Sequence, residues 1–202
     1  MLSVATTTGP RGRLMTNPRG ESFWFDAGAA FVDFALTGGE GELAVFETLH
    51  TPDDLRAWLA TPPLAVEVPR ASARDLAAAK HVRHTLLAAI NARAAGDPVP
   101  DEAVRAINAA AAREPLAPRL GPGGTAGGWA RPATVGQAVS TLAREAVEVL
   151  SGPRGDRIKV CAGDNCALPF VDTSRPGTRR WCSMERCGNR HKLRALRART
   201  RD

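Results

Sequence analysis

Apolar residues along the chain keep switching between the two periods that secondary structure imposes, and the switches mark the elements. Phe23-Trp-Phe25 is a run of strand-forming aromatics. From Gly28 to Thr37 the spacing becomes helical, with Phe31, Phe34 and Ala35 on one face and Gly38-Gly39 closing it. Leu43-Ala-Val-Phe46 and Leu64-Ala-Val-Glu-Val68 read as short strands. Between them Thr51 stands as a cap before Pro52, and Leu55, Trp58 and Leu59 form the buried face of a helix. Ser72-Ala-Arg-Asp75 resembles a capping box that opens the longest helix, carrying Leu76, Ala79, Arg83, Leu86, Leu87 and Ile90 along one side to about Arg93. Asp101 opens another, through Val104, Ile107 and Ala111. Two short segments, Pro115 to Leu120 and Trp129 to Pro132, flank a glycine-rich hairpin tip. Thr134 to Leu150 is a last amphipathic helix with Val135, Ala138, Val139, Leu142, Ala146 and Val149 inward.

Beyond Leu150 the pattern changes character. Residues 151–202 hold all four cysteines, Cys161, Cys166, Cys182 and Cys187, as C-x4-C, fifteen residues, C-x4-C. Two close pairs separated by a medium loop present four thiolates to one zinc ion, each pair supplying one side of a tetrahedron. Two disulfides are the competing use of the same thiols, and a reducing compartment disfavours them. Cys161-Ala-Gly-Asp-Asn-Cys166 carries turn-forming residues between its thiols, as a zinc knuckle requires. Leu168-Pro-Phe-Val-Asp172 reads as a strand, Thr173 to Gly177 as a turn, and Trp181 as the end of a returning strand. A helix is expected from about Ser183, with Cys187 in its first turns, where the dipole favours a thiolate. Knuckle, hairpin and helix together describe a treble-clef-like finger.

Charge follows the same division. Of 202 residues, 27 are Lys+Arg and 21 Asp+Glu, a net of +6. Residues 151–202 carry 13 basic and 5 acidic side chains, a net of +8, so residues 1–150 carry a net of −2. The run from Arg186 to Arg201 contains no acid. On a helix Arg186, Arg190, Arg194, Arg197 and Arg201 fall within a stripe of about 80°, flanked by Lys192 and Arg199, with Leu193 and Leu196 as a narrow apolar strip. Some sixteen helical residues would span about 24 Å, enough to cross a DNA groove. Arg179 and Arg180 precede the helix closely enough to join that face, and Asn189, beside Cys187, is placed either to contact a base or to brace the zinc loop.

Arg180-Trp-Cys-Ser-Met-Glu-Arg-Cys-Gly-Asn-Arg190 resembles the signature of the CGNR zinc finger, and Phe170-Val-Asp-Thr-Ser174 resembles the segment that precedes it in that family. The order of segments upstream resembles the ABATE domain that usually comes before such a finger: Phe23-Trp-Phe-Asp26, a short helix, Thr51-Pro-Asp-Asp-Leu55, an Ala-rich helix and a Gly-Gly-Trp hairpin. Val32-Asp-Phe-Ala-Leu-Thr37 stands where the family has Leu-Asp-Phe-Val-Asn-Thr, so Leu36 replaces its Asn. The resemblance implies a bacterial, stress-induced transcription regulator with one structural zinc ion.

The expected architecture is α+β: a flexible arm (1–20), a mainly helical N-terminal domain with short strands and a hairpin (21–150), a linker (151–155), and a small four-cysteine finger ending in a basic helix (156–202). With no long apolar run and no secretory leader, a soluble cytoplasmic protein without a membrane partner is expected. Four thiolates form a closed shell, whereas hydrolytic zinc keeps an open position. No nucleophile with a base, paired carboxylates or cofactor fingerprint stands out, so no enzyme is expected. His191 is a weaker alternative ligand, and His81 and His84 read as ordinary helix residues. The expected partner is nucleic acid, most readily duplex DNA, with the N-terminal domain sensing an effector or pairing protomers into a homodimer. An acidic protein or RNA is the alternative partner, and a small-molecule or enzymatic N-terminal domain a third reading.

Overall fold

The structure, a computed structural model, describes residues 12–16, 20–124 and 127–199. Strand β2 (Ser22–Phe25) pairs antiparallel with β1 (Arg13–Thr16), Arg13 opposite Phe25 and Thr16 opposite Ser22. Residues 13–16 fall within the stretch that the sequence assigns to an arm; residues 1–11 and 17–19 lie outside the described residues. The alternation of β2 buries Phe23 and Phe25 and leaves Trp24 exposed.

Helix α1 (Ala30–Ala35) buries Phe31, Val32, Asp33, Phe34 and Ala35. Six residues do not sustain a helix alone, and no local side chain caps this one. Its N-terminus is capped from a distance: Phe31 N donates to Glu145 Oε2 at 2.9 Å. Asp33 meets Arg13 Nε at 3.3 Å. Burial pushes the Asp33 carboxyl up to about 7, with Arg13 opposing and Asp26 and Glu145 adding to the rise.

Two expected strands are absent as strands. Leu43 to Phe46 lies in a 3-10 turn (Gly41–Phe46) in which Leu43, Val45 and Phe46 stay exposed. The following residue decides this path. Glu47 is drawn inward to Arg83, whose guanidinium grips both carboxylate oxygens at 2.8 and 2.7 Å. Leu64 to Val68 keeps its period of two, with Leu64, Val66 and Val68 buried, but forms no ladder. Its backbone is met by other groups: Val66 N donates to Leu59 O, Arg56 Nε to Val68 O and Trp129 Nε1 to Leu64 O. The burial alternates without an extended run, because Ala65 takes φ +49° and its N–H donates to Thr61 O, so the start of the segment belongs to a turn.

The remaining helices follow their sequence signals. Helix α2 (Pro52–Leu59) starts from a capping box of Thr51 and Asp54, and α3 (Ala73–Ala95) from one of Ser72 and Asp75. Helix α4 (Asp101–Ala111) buries Ala103, Ile107 and Ala110 and exposes Val104, so its inner face is turned about one residue from the expected one. A hairpin of β3 (Pro118–Leu120) and β4 (Gly127–Trp129) precedes α5 (Val135–Ser151), which starts from Thr134 and Gln137 and buries every expected apolar position. Helix α3 is the centre, touching α1, α2, α4 and α5.

The C-terminal region begins with β5 (Ile158–Val160), paired antiparallel with β6 (Pro169–Val171). The expected partner of the 168–172 strand was the returning segment before Trp181; the ladder forms across the knuckle instead. Ile158, Phe170 and Val171 join the same hydrophobic cluster as the helices. Val171 N donates to Ala27 O at 2.8 Å, and Arg154 Nη2 to Gly28 O at 3.0 Å. A Cβ at Gly28 would lie 2.1 Å from Val171 O, and its φ is +76°, so no side chain fits there. In the 151–155 stretch, read as a linker, Ser151 ends α5 and Gly155 is buried beside Arg93, which pairs with Asp156 at 2.8 Å. Among the described residues no helix is long and apolar enough to cross a membrane.

Candidate metal centre and basic helix

Cys161 follows β5, and its N–H extends the ladder to Leu168 O at 3.0 Å. The knuckle turns on Cys166 N donating to Gly163 O, and Ala162 N donates to Arg180 O, which lays the second cysteine pair against the first. Cys182 follows Trp181, and Cys187 sits in a π-turn (Met184–Gly188) that leads directly into α6 (Asn189–Arg199). The four sulfurs lie within 4.8 Å of one another, with Cys166 to Cys182 and Cys182 to Cys187 each at 3.6 Å. A tetrahedron of ~2.3 Å metal–sulfur bonds sets its sulfurs about 3.8 Å apart, whereas a disulfide needs about 2.05 Å. The cluster therefore fits one zinc ion and no disulfide. Cys161, Cys182 and Cys187 are buried, and a Cβ at Gly163 would come within 3.1 Å of Cys187 Sγ.

The thiols' electrostatics agree. Hydrogen bonds from Cys166 and then Cys182 hold the Cys161 thiol down at about 2. The Cys182 thiol is pushed up, first through its hydrogen bond to Cys161, and burial pushes Cys187 up to about 11. Like charges so close cannot all form unaided, and a divalent cation is what four adjacent thiolates require. Cys182 N also donates to Cys161 Sγ at 3.2 Å, a contact that favours the charged sulfur. No histidine or carboxylate joins this group among the described residues. His191 packs edge-on against Trp181 at 4.9 Å, and His81 and His84 are exposed on α3.

A second set of residues, which the sequence did not single out for this role, shapes the finger. Asp172, at the end of β6, has no exposed surface. Its carboxylate accepts from Lys159 Nζ at 2.8 Å, Ser174 N at 3.0 Å, Ser174 Oγ at 2.6 Å and Arg179 N at 2.8 Å. Burial alone would raise its pKa, but these donors outweigh burial and hold the carboxyl well below the usual range. Lys159 Nζ also donates to Gly177 O, and Arg157 Nη1 to Ser174 O. The 173–180 segment is thus closed by side chains rather than by a ladder. The Asp-x-Ser spacing of an Asx turn was the available signal.

The nine candidate nucleic-acid residues separate by environment. Arg179 is turned inward: Nε donates to Trp181 O, Nη2 to Cys182 O, and its guanidinium lies 4.1 Å from the Phe170 ring centroid. Arg186 lies 4.3 Å over Phe23, with its Nε buried. Arg180 is exposed, 5.2 Å over Trp181. Asn189, Arg190, Lys192, Arg194 and Arg197 are exposed along α6, as are Arg199, Leu193 and Leu196. Arg190 Nη2 pairs with Glu21 Oε2 at 3.0 Å, and Arg194 pairs with Asp164. Arg201 lies outside the described residues. The described helix has eleven residues, about 16 Å of rise.

A family model, ABATE, described as "Putative stress-induced transcription regulator", matches residues 28–153, and the model of the CGNR zinc finger matches residues 157–200. No curated protein matches the chain.

Proposed function

The chain belongs to the ABATE family and ends in a CGNR zinc finger that can hold one metal ion, and on that premise we propose that it is a zinc-dependent transcription regulator of the bacterial cytoplasm whose finger contacts duplex DNA. Cys161, Cys166, Cys182 and Cys187 hold a structural zinc, and α6 is the contacting element. The observation that carries this is the surface of α6: Arg190, Lys192, Arg194, Arg197 and Arg199 are all exposed, and α6 itself contributes no acidic residue, the carboxylates that meet Arg190 and Arg194 coming from Glu21 and Asp164. A zinc-anchored helix start removes most of the ordering cost that an isolated basic segment would bear on binding.

Within this reading the candidate contacts do different work. Arg180, Arg190, Lys192, Arg194 and Arg197 meet phosphates or guanine edges, for which arginine's planar fork is suited. Asn189, exposed at the start of α6, is placed for a base edge. Arg179 and Arg186 act through the finger, the first by fixing the Trp181-Cys182 backbone and the second by seating the π-turn on Phe23. The helical domain senses a signal or pairs protomers, and the exposed Leu43, Val45 and Phe46 favour pairing.

Titration of duplex DNA against the full chain at several salt concentrations tests the proposal. Affinity is expected to fall log-linearly with salt, by about 0.9 per phosphate contact. Absence of binding at low ionic strength would reject it. A second reading is docking onto an acidic protein or RNA; for the protein partner, the support is that the guanidinium groups of Arg190 and Arg194 pair with acidic side chains, Glu21 and Asp164. RNA binding in preference to any duplex would establish that alternative.

A further inference from the structure

A cleft of about 600 Å³ lies where the β1–β2 hairpin meets the finger. Its volume falls in the range of small-molecule sites; Cys182 of the zinc centre forms part of its lining, and no residue of α6 does. Planar groups form much of the wall. Trp24 is 40% exposed, and Trp181 carries the Arg180 guanidinium over its ring. Met184 adds a polarizable apolar surface. Asp26 and Glu185 bring carboxylates to the lining. Asp26 is fixed in place, because its Oδ1 accepts from Gly28 N at 2.8 Å.

The geometry points to a nucleobase site, selective for a base with N–H donors on its edge and best suited to guanine. Indole and guanidinium planes are the surfaces on which bases stack. Carboxylates accept hydrogen bonds and donate none, so they match the adjacent imino and amino donors of guanine and repel the carbonyl-rich edge of uracil or thymine. Arg180, on the same lining, supplies positive charge for a phosphate. The base can come from a free nucleotide or from an unpaired position in a bound strand, and the second source alone rests on the nucleic-acid reading above. Met184 and Glu185 belong to the π-turn that holds Cys187 and launches α6. Occupancy of the cleft therefore bears directly on the helix that reaches outward.

The test uses the zinc-loaded full chain. Binding of GMP and UMP is followed by tryptophan fluorescence, and binding of a single-stranded oligonucleotide with one central guanine, or thymine in its place, by anisotropy. GMP is expected to bind saturably and more tightly than UMP, with Trp24→Ala weakening it about tenfold, the scale of one lost base–aromatic stack. If GMP does not bind but the guanine strand outbinds the thymine strand, and Trp24→Ala removes the difference, the base is supplied by the strand. Equal binding of guanine and pyrimidine probes, or indifference to Trp24→Ala in both arms, overturns the site. Zinc content and circular dichroism establish that Trp24→Ala is folded. Asp26→Asn, which retains an acceptor for Gly28 N, is a second variant expected to erase guanine preference, and retention of that preference also overturns the site. Duplex affinity measured on the same samples separates the two ideas: duplex binding without guanine preference leaves the regulator reading intact, and the converse leaves the cleft intact.

Discussion

Lys159 Nζ lies 2.8 Å from Asp172 Oδ2, joining the strand that enters the knuckle to a carboxylate with no exposed surface. The pair has a structural consequence beyond its charge. Asp172 also receives Ser174 and the Arg179 backbone, so one side chain fixes the path of the segment that delivers Cys182. Asp172→Asn presents an amide donor toward donors and removes the charge. It is expected to destabilise the finger by about 2 kcal/mol, the scale of hydrogen bonds to a charged group, and to speed zinc release to a chromogenic chelator. Zinc release at the wild-type rate would show that the ladder of β5 and β6 suffices without it.

Metal binding and polyanion binding separate by residue. Cys182→Ser is expected to lose zinc and unfold the finger, since structural zinc contributes folding energy directly. Arg194→Ala is expected to keep full zinc content and to weaken duplex binding, lowering the salt slope by about 0.9. Metal analysis paired with salt-dependent anisotropy checks both. Loss of zinc from the arginine variant would contradict the division.

Glu21 sits on Arg190 with both side chains about half exposed. A phosphate arriving at Arg190 competes with that carboxylate. Glu21→Gln is therefore expected to raise duplex affinity up to about fivefold at low salt, the range of an exposed ion pair, and to do so mainly through the association rate. Weaker binding by the variant would mean that the pair orients α6 rather than masking it.

The Asp33 carboxyl, raised to about 7 by burial, ties stability to pH. A carboxyl whose folded pKa lies above its unfolded value binds more protons when folded, so its contribution is full below the unfolded pKa and declines as pH rises toward 7. The slope is at most about 1.4 kcal/mol per pH unit. Asp33→Asn cannot titrate. The stability of the wild type relative to this variant, from chemical denaturation at a series of pH values between 4 and 8, is expected to fall with rising pH and level off above about 7. A constant difference would assign Asp33 an ordinary pKa, compensated by Arg13.

Legibility differed by the reach of the interaction. Helices α2, α3 and α5 were readable because each begins with a side chain that caps its own backbone three residues on, Thr51 to Asp54, Ser72 to Asp75 and Thr134 to Gln137. The cysteine pairs were readable because a tetrahedral ion imposes short spacings that survive in sequence. Helix α1 was readable from its apolar period, but its cap was not, because Glu145 arrives from 114 residues away. The stretches Leu43 to Phe46 and Leu64 to Val68 carry β-favouring residues, and nothing local reveals that Arg83 draws Glu47 inward or that Trp129 and Arg56 satisfy the second segment's carbonyls.

The basic helix shows the same division within a single motif. Sequence alone determined that residues 186–201 carry an acid-free, arginine-rich run with helical spacing beside four paired cysteines, because charge, period and spacing are local properties. Tertiary structure decided which arginines remain available. Arg179 is held beneath Phe170, Arg186 on Phe23, and Arg190 and Arg194 meet Glu21 and Asp164, while Lys192 and Arg199 face solvent. It also decided that the finger and the helical domain share one core, through Ile158, Phe170 and Val171 and the close approach at Gly28. Periodicity specifies which face an element buries. What that face meets depends on segments brought together only when the chain closes on itself.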